Sequence, residues 1–180
     1  MSGIGCRPAV FLDRDGVLTE EKGYITSVEK LSLFPYAMEC VRQIHAKGYY
    51  AVVITNQSGV ARGLFTEEDL IQMNEYLVRN TGVDAVYYCP HHPEGKIAEY
   101  KKNCSCRKPG TGLFTEAARD FEIDMKRSYM VGDRAGDIRA GQRAGLKTIL
   151  LESGYGTAAL EEAVIPDYIL QDLRKVIEIL

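Results

Sequence analysis

Short apolar runs recur along the chain, and each gives way to polar residues and then to apolar positions at helical spacing. Pro8-Ala9-Val10-Phe11-Leu12 is the first, continuous rather than alternating, as a strand buried on both faces requires. Residues 49–54, 83–88, 128–131 and 147–151 repeat the signal, and residues 167–170 read as a short edge strand. Between the runs, Ala37, Val41 and Ile44 share one face of a helix that Pro35 opens and Gly48 stops. Thr66-Glu67-Glu68-Asp69 carries a capping signal for a helix to about Asn80. Leu113, Phe114, Ala117, Ala118 and Phe121 form a core stripe, a further helix runs through Ala144, and a terminal helix closes the chain. Strands alternating with helices predict an α/β fold in one domain, residues 1–180, with a parallel sheet flanked by helices. Residues 18–32 have no clean period and read as a long loop or small hairpin, a lid over the strand ends.

The polar residues that follow the runs carry the chemistry. Asp13 and Asp15 leave the first strand two residues apart, so in extended chain both point to one side. Carboxylates held that close need a cation or a shared proton. Thr55-Asn56-Gln57-Ser58-Gly59 follows the second strand with a hydroxyl and amides suited either to a phosphate or to an ordinary turn. Gly132-Asp133 ends the fourth, and Asp137 lies one helical turn on, as a metal ligand or a helix N-terminal carboxylate. Ligands of open parallel sheets bind at the carboxyl ends of strands, so these groups are expected to converge. Three carboxylates there call for a hard divalent cation, Mg2+ first, and Arg107 and Lys108 suit an anionic substrate. The combination points to phosphoryl transfer through a carboxylate nucleophile.

The net charge of -3 and the lack of a basic stripe argue against a nucleic-acid partner. No apolar stretch has the length of a membrane span and no signal-peptide pattern opens the chain, so a cytoplasmic monomer is expected. Five cysteines make an odd set. Cys6 and Cys40 read as isolated structural thiols, whereas Cys89-Pro90-His91-His92 and Cys104-Ser105-Cys106 offer four S/N ligands from two tight turns. Either histidine could ligate, and symmetry with Cys-x-Cys favours His91. No position is left for water, so the expected zinc is structural, replacing a core that this polar loop lacks.

Asp13-Arg14-Asp15-Gly16-Val17, Thr55-Asn56-Gln57-Ser58-Gly59, Arg107-Lys108-Pro109 and Gly132-Asp133 resemble, in order, the four motifs of haloacid-dehalogenase-like (HAD) phosphatases. With the Cys/His loop, the chain is most similar to their heptose-bisphosphatase and histidinol-phosphatase branch, and residues 56–63 favour the heptose side. The resemblance implies a Rossmann-like HAD fold with no large cap domain and an inserted zinc loop at 89–106. It implies a Mg2+-dependent phosphatase that removes the C7 phosphate of D-glycero-D-manno-heptose 1,7-bisphosphate, in heptose synthesis for surface glycans. Histidinol phosphate or another small phosphomonoester is the alternative substrate, and a non-catalytic zinc module is the alternative class. Asp13 would be the nucleophile, and Asp15 the acid and base, with its backbone carbonyl on Mg2+. Asp13 and Asp133 would be the carboxylate ligands, and Thr55 and Lys108 would hold the phosphoryl group. Arg107 would recognise the sugar phosphate with Asn56, Gln57, Ser58, Arg62, Arg134 and the flap residues Glu21, Lys22, Gly23 and Tyr24. Cys89, His91, Cys104 and Cys106 would hold zinc. Arg134 departs from the lysine usual in the last motif, keeping the charge and changing the geometry.

Overall fold

The structure, a computed structural model, describes residues 6–160 and 163–180. Among them, β1 (Ala9–Leu12), β2 (Tyr50–Asn56), β3 (Ala85–Cys89), β4 (Tyr129–Gly132), β5 (Lys147–Leu151) and β6 (Tyr168–Leu170) form one parallel sheet. Its order is β3-β2-β1-β4-β5-β6. Helices α1 (Ala37–Ala46), α2 (Glu67–Thr81), α3 (Gly112–Phe121), α4 (Ala135–Arg143) and α5 (Leu173–Val176) cover it.

The continuous apolar strands divide their side chains between two cores, because successive residues face opposite ways. Val10, Leu12, Val53 and Val131 pack with Val41 and Ile44 of α1, Leu77 of α2 and Leu173 and Val176 of α5. Phe11, Val52, Ile54 and Met130 pack with Leu113, Phe114 and Ala117 of α3 and Ala140 of α4. The sheet is therefore wound on both faces. The chain builds outward from β1 to β3 and then returns to place β4 on the other side of β1, opening a crevice at their carboxyl ends.

Three expectations change in detail. The third strand starts and ends later than its apolar run, so that Cys89 is its buried last residue. Cys40 sits in the core as expected, but Cys6 is exposed rather than buried as a structural thiol would be. The flap is neither a plain loop nor a regular hairpin. Thr19 bridges Leu33, Glu20 N–H donates to Ser32 O at 2.9 Å, and Ile25 and Leu31 bury against Val60, Phe65, Leu70 and Met73. That separate apolar cluster ties the flap to α2. Among the described residues, no helix is long and apolar enough to cross a membrane.

Candidate active site

Pairing of β1 with β4 brings the strand-end aspartates together, and Asp13 N–H donates to Val131 O at 2.9 Å. Carboxylate oxygens of Asp13, Asp133 and Asp137 lie within 4.8 Å of one another, all on buried residues. Gly16, at φ +83°, could carry no side chain, because a Cβ there would collide with the Asp133 carboxylate. Burial pushes Asp13 up to about 6, Lys108 opposing and the charges of Asp137 and Asp15 adding to the rise. Burial, then the charges of Asp13 and Asp137, push Asp133 up to about 8 against the Tyr155 N–H that its Oδ2 accepts at 2.9 Å.

Asp137 is the acid whose role the sequence left open. Its Oδ2 accepts the N–H groups of Asp133 (3.2 Å) and Arg134 (3.1 Å), and its Oδ1 lies 2.6 Å from Lys108 Nζ. Both oxygens are committed, so Asp137 caps α4 and holds Lys108. Asp133 Oδ1, by contrast, is buried without a partner. An orphaned carboxylate oxygen beside a second acid is a donor set that fits a hard divalent cation, with Asp13 and Asp133 as its side-chain ligands.

The raised carboxyls set a pH dependence. Folded Asp13 and Asp133 bind protons more tightly than unfolded ones, so the metal-free protein loses stability as pH rises from about 4 through about 8. The Tm of the metal-free protein is therefore expected to be several degrees lower at pH 8 than at pH 5. Mg2+ is expected to raise Tm more at pH 8 than at pH 5. Thermal melts at the two pH values, with and without Mg2+, check this.

Lys108 is buried, and its Nζ meets Asp13 Oδ1 (3.0 Å), Asp137 Oδ1 (2.6 Å) and Ile54 O (2.7 Å). Its backbone is gripped from β2: Asn56 Oδ1 accepts Lys108 N–H at 3.0 Å, and Asn56 Nδ2 donates to Lys108 O at 3.1 Å. Asp15 has both oxygens filled. Arg14 Nε and Nη2 fork onto them at 3.0 Å each, Thr19 Oγ1 donates at 2.9 Å and Gln57 Nε2 at 3.1 Å. Gln57 Nε2 also donates to Thr55 Oγ1 at 3.0 Å, so β2 and the first motif share one network.

At the end of β3 and in the loop that follows, ligand atoms of Cys89, His91 and Cys104 lie within 4.8 Å of one another, with Cys89 Sγ 3.6 Å from His91 Nδ1. Cys106 sits beside them and donates its N–H to Cys104 Sγ at 3.4 Å. His92 is spoken for elsewhere: Nδ1 accepts Glu94 N–H at 3.1 Å and Nε2 faces Arg62 Nη2 at 3.3 Å. The donor chemistry fits a soft cation with His91 as the nitrogen ligand. Glu67 on α2 anchors this loop by accepting the hydroxyls of Tyr88 (3.0 Å) and Tyr100 (2.7 Å).

A cavity of about 430 Å3 opens over the strand ends and is lined by Asp13, Asp15, Thr55, Asn56, Gln57, Ser58, Arg107 and Lys108. Flap residues Glu21, Gly23, Tyr24 and Ile25 line it too, as do Arg134 and Asp137. Lys22 and Arg62, expected at the substrate, are not among the lining residues: Lys22 Nζ meets Glu20 and Ser32, and Arg62 faces His92. Tyr155 also lines the cavity, and nothing in the sequence marked it beyond a loop between two glycines.

A buried carboxylate on a buried lysine, beside a cation-ready acid at the switch point of a parallel sheet, is a phosphoryl-transfer site. A HAD-hydrolase-like family model matches residues 105–176. The D-glycero-beta-D-manno-heptose-1,7-bisphosphate 7-phosphatase of Yersinia pestis is 38% identical over 172 residues, covering 92% of this chain and 91% of that one. That of Haemophilus ducreyi is 42% identical over 85% of this chain and 87% of its own. The crystal structure of D,D-heptose 1,7-bisphosphate phosphatase from B. bronchiseptica, complexed with magnesium and phosphate, superposes with a TM-score of 0.80. It is 30% identical and covers 95% of this chain and 96% of that one. The chain belongs to this family of HAD-like heptose-bisphosphate phosphatases.

Proposed function

We propose that this protein hydrolyses the C7 phosphate of D-glycero-β-D-manno-heptose 1,7-bisphosphate, acting as a cytoplasmic monomer in the synthesis of activated heptose for surface glycans. The observation that carries the reading is Asp13 paired with Lys108 on the cavity wall, with the buried Asp133 behind it in the same carboxylate cluster, in a chain similar over most of its length to relatives that bear this name. Asp13 attacks phosphorus, and the bond from phosphorus to the C7 oxygen breaks as Asp15 delivers a proton to that oxygen. Water then attacks the aspartyl-phosphate, giving its proton to Asp15 and releasing phosphate and Asp13. The Asp15 carboxylate is oriented for both halves by the four donors that hold it. Lys108 and Thr55 hold the equatorial oxygens, and Arg107, whose Nη1 is fixed on His91 O at 3.4 Å, meets the substrate from the metal-loop side. Mg2+ held by Asp13, Asp133 and the backbone carbonyl of Asp15 would neutralise phosphoryl charge. Zinc on Cys89, His91, Cys104 and Cys106 would stiffen the loop that presents Arg107.

The testing experiment is phosphate release with Mg2+ from both anomers of the heptose bisphosphate beside histidinol phosphate. A kcat/KM about a hundredfold higher for the β-heptose, some 2.7 kcal/mol of discrimination, is expected. Preference for histidinol phosphate would overturn the substrate and leave the chemistry. For the loop, protein purified without added metal is expected to hold about one zinc per chain, and stripping it to lower kcat/KM at least about tenfold. Elemental analysis and assay of the stripped protein check both, and under half a zinc per chain would count against the site.

A further inference from the structure

Arg134 lies just before α4, in the last motif, and its charge is already engaged. Its Nη2 sits 3.1 Å from Glu21 Oε2 on the flap, and its guanidinium carbon lies 3.9 Å from the centre of the Tyr155 ring. Glu21 Oε1 accepts the N–H of Gly23 at 2.6 Å, so this carboxylate is committed at both oxygens. Tyr155 gives its backbone N–H to Asp133, and the preceding Gly154 could carry no side chain without striking the Asp133 carboxylate. One chain of contacts therefore runs from the flap through Glu21, Arg134 and Tyr155 to an acid at the centre of the site, and the first three line the cavity. A planar guanidinium can stack on a ring and fork to a carboxylate together, which the ammonium of a lysine cannot.

We propose that Tyr155, with Arg134 and Glu21, is a specificity-determining wall that fixes the flap against the cavity and selects a polyhydroxylated leaving group. This rests on the reading of the site as a sugar-phosphate phosphatase. With Arg134 stacked on one face of the Tyr155 ring, the wall offers guanidinium N–H groups, a phenol hydroxyl and flap backbone. Those groups match the hydroxyls of a polyol, which a p-nitrophenyl group lacks. Loss of any member releases the Glu21 end of the flap from the cavity wall, while the Ile25 and Leu31 cluster still holds the flap to α2.

The test is a double-mutant cycle on the full chain with Glu21→Gln, Arg134→Met and the pair, with Tyr155→Leu alongside. Hydrogen exchange of flap amides 20–32 is read without substrate. The ratio of kcat/KM for the heptose bisphosphate over p-nitrophenyl phosphate is read with it. Each single variant is expected to speed flap exchange about tenfold and to lower the ratio at least about fivefold, and the pair to do no more than the stronger single. Tyr155→Leu should do both. Additive losses with unchanged exchange would overturn the wall and make Arg134 and Glu21 independent substrate contacts. Failure of the sugar reading is seen separately, as a low ratio in the unaltered protein, and leaves the exchange result to judge the coupling.

Discussion

Asp13→Asn is expected to lower kcat by a factor of about 10^4 or more while the protein still folds. An amide oxygen is too weak a nucleophile to form the acyl phosphate, whereas the shape of the side chain is kept. The amide oxygen of the variant can still accept the Arg14 N–H that Asp13 Oδ1 accepts at 2.9 Å. What the substitution loses is the ion pair with Lys108, and what it relieves is repulsion among three buried acids. The two changes oppose each other, so Tm should move only a few degrees, upward at pH 8 in metal-free protein, where the cluster is most charged. Circular dichroism melts and phosphate release on the same preparation check both parts. Turnover within tenfold of the unaltered protein would remove Asp13 from the chemistry.

The second large effect is on stability as well as rate. Lys108→Met is expected to cost about 3–5 kcal/mol, roughly 10 °C or more in Tm, and to cut kcat/KM by about 10^2–10^3. The lysine spends its buried ammonium on Asp13, Asp137 and the carbonyl of Ile54. Removing it strands two carboxylates and a carbonyl at the buried floor of the site. Asp13, already raised by burial, would lose the one charge that lowers it and would be protonated more of the time, hence poorer as a nucleophile. Denaturant melts and kinetics across pH 6–8 check this. A Tm within about 2 °C of the unaltered protein would show that Lys108 does not neutralise the pair.

The strand ends were the most legible part of the sequence, for a physical reason. A doubly wound sheet buries its strands on both faces, so each strand is an uninterrupted apolar run and the first polar residue after it marks the carboxyl end. Asp13, Thr55 and Asp133 could be placed that way. The partners of these groups could not. Asn56 holds the backbone of a residue 52 positions on, and no periodicity reports a contact of that range. Asp137 stayed ambiguous because a helix cap and a metal ligand ask for the same residue type, and only the filled oxygens separate them. The flap hid its anchors, since Ile25 and Leu31 are apolar positions too far apart to form a pattern of their own. Tyr155 was invisible because a tyrosine between two glycines signals a turn, and its importance lies in a backbone N–H and a stacked ring. Cys6 misled in the opposite direction, for a lone cysteine is usually buried and this one is not.

The most direct test of the account is to catch the covalent intermediate. The Mg2+-loaded protein would be acid-quenched during turnover of the heptose bisphosphate and reduced with borohydride, which converts an aspartyl-phosphate to homoserine. Peptide mass spectrometry should then find homoserine at position 13, and none at 15, 133 or 137. Unmodified Asp13 in a preparation that is releasing phosphate and traps nothing at that position would contradict the mechanism derived from this site.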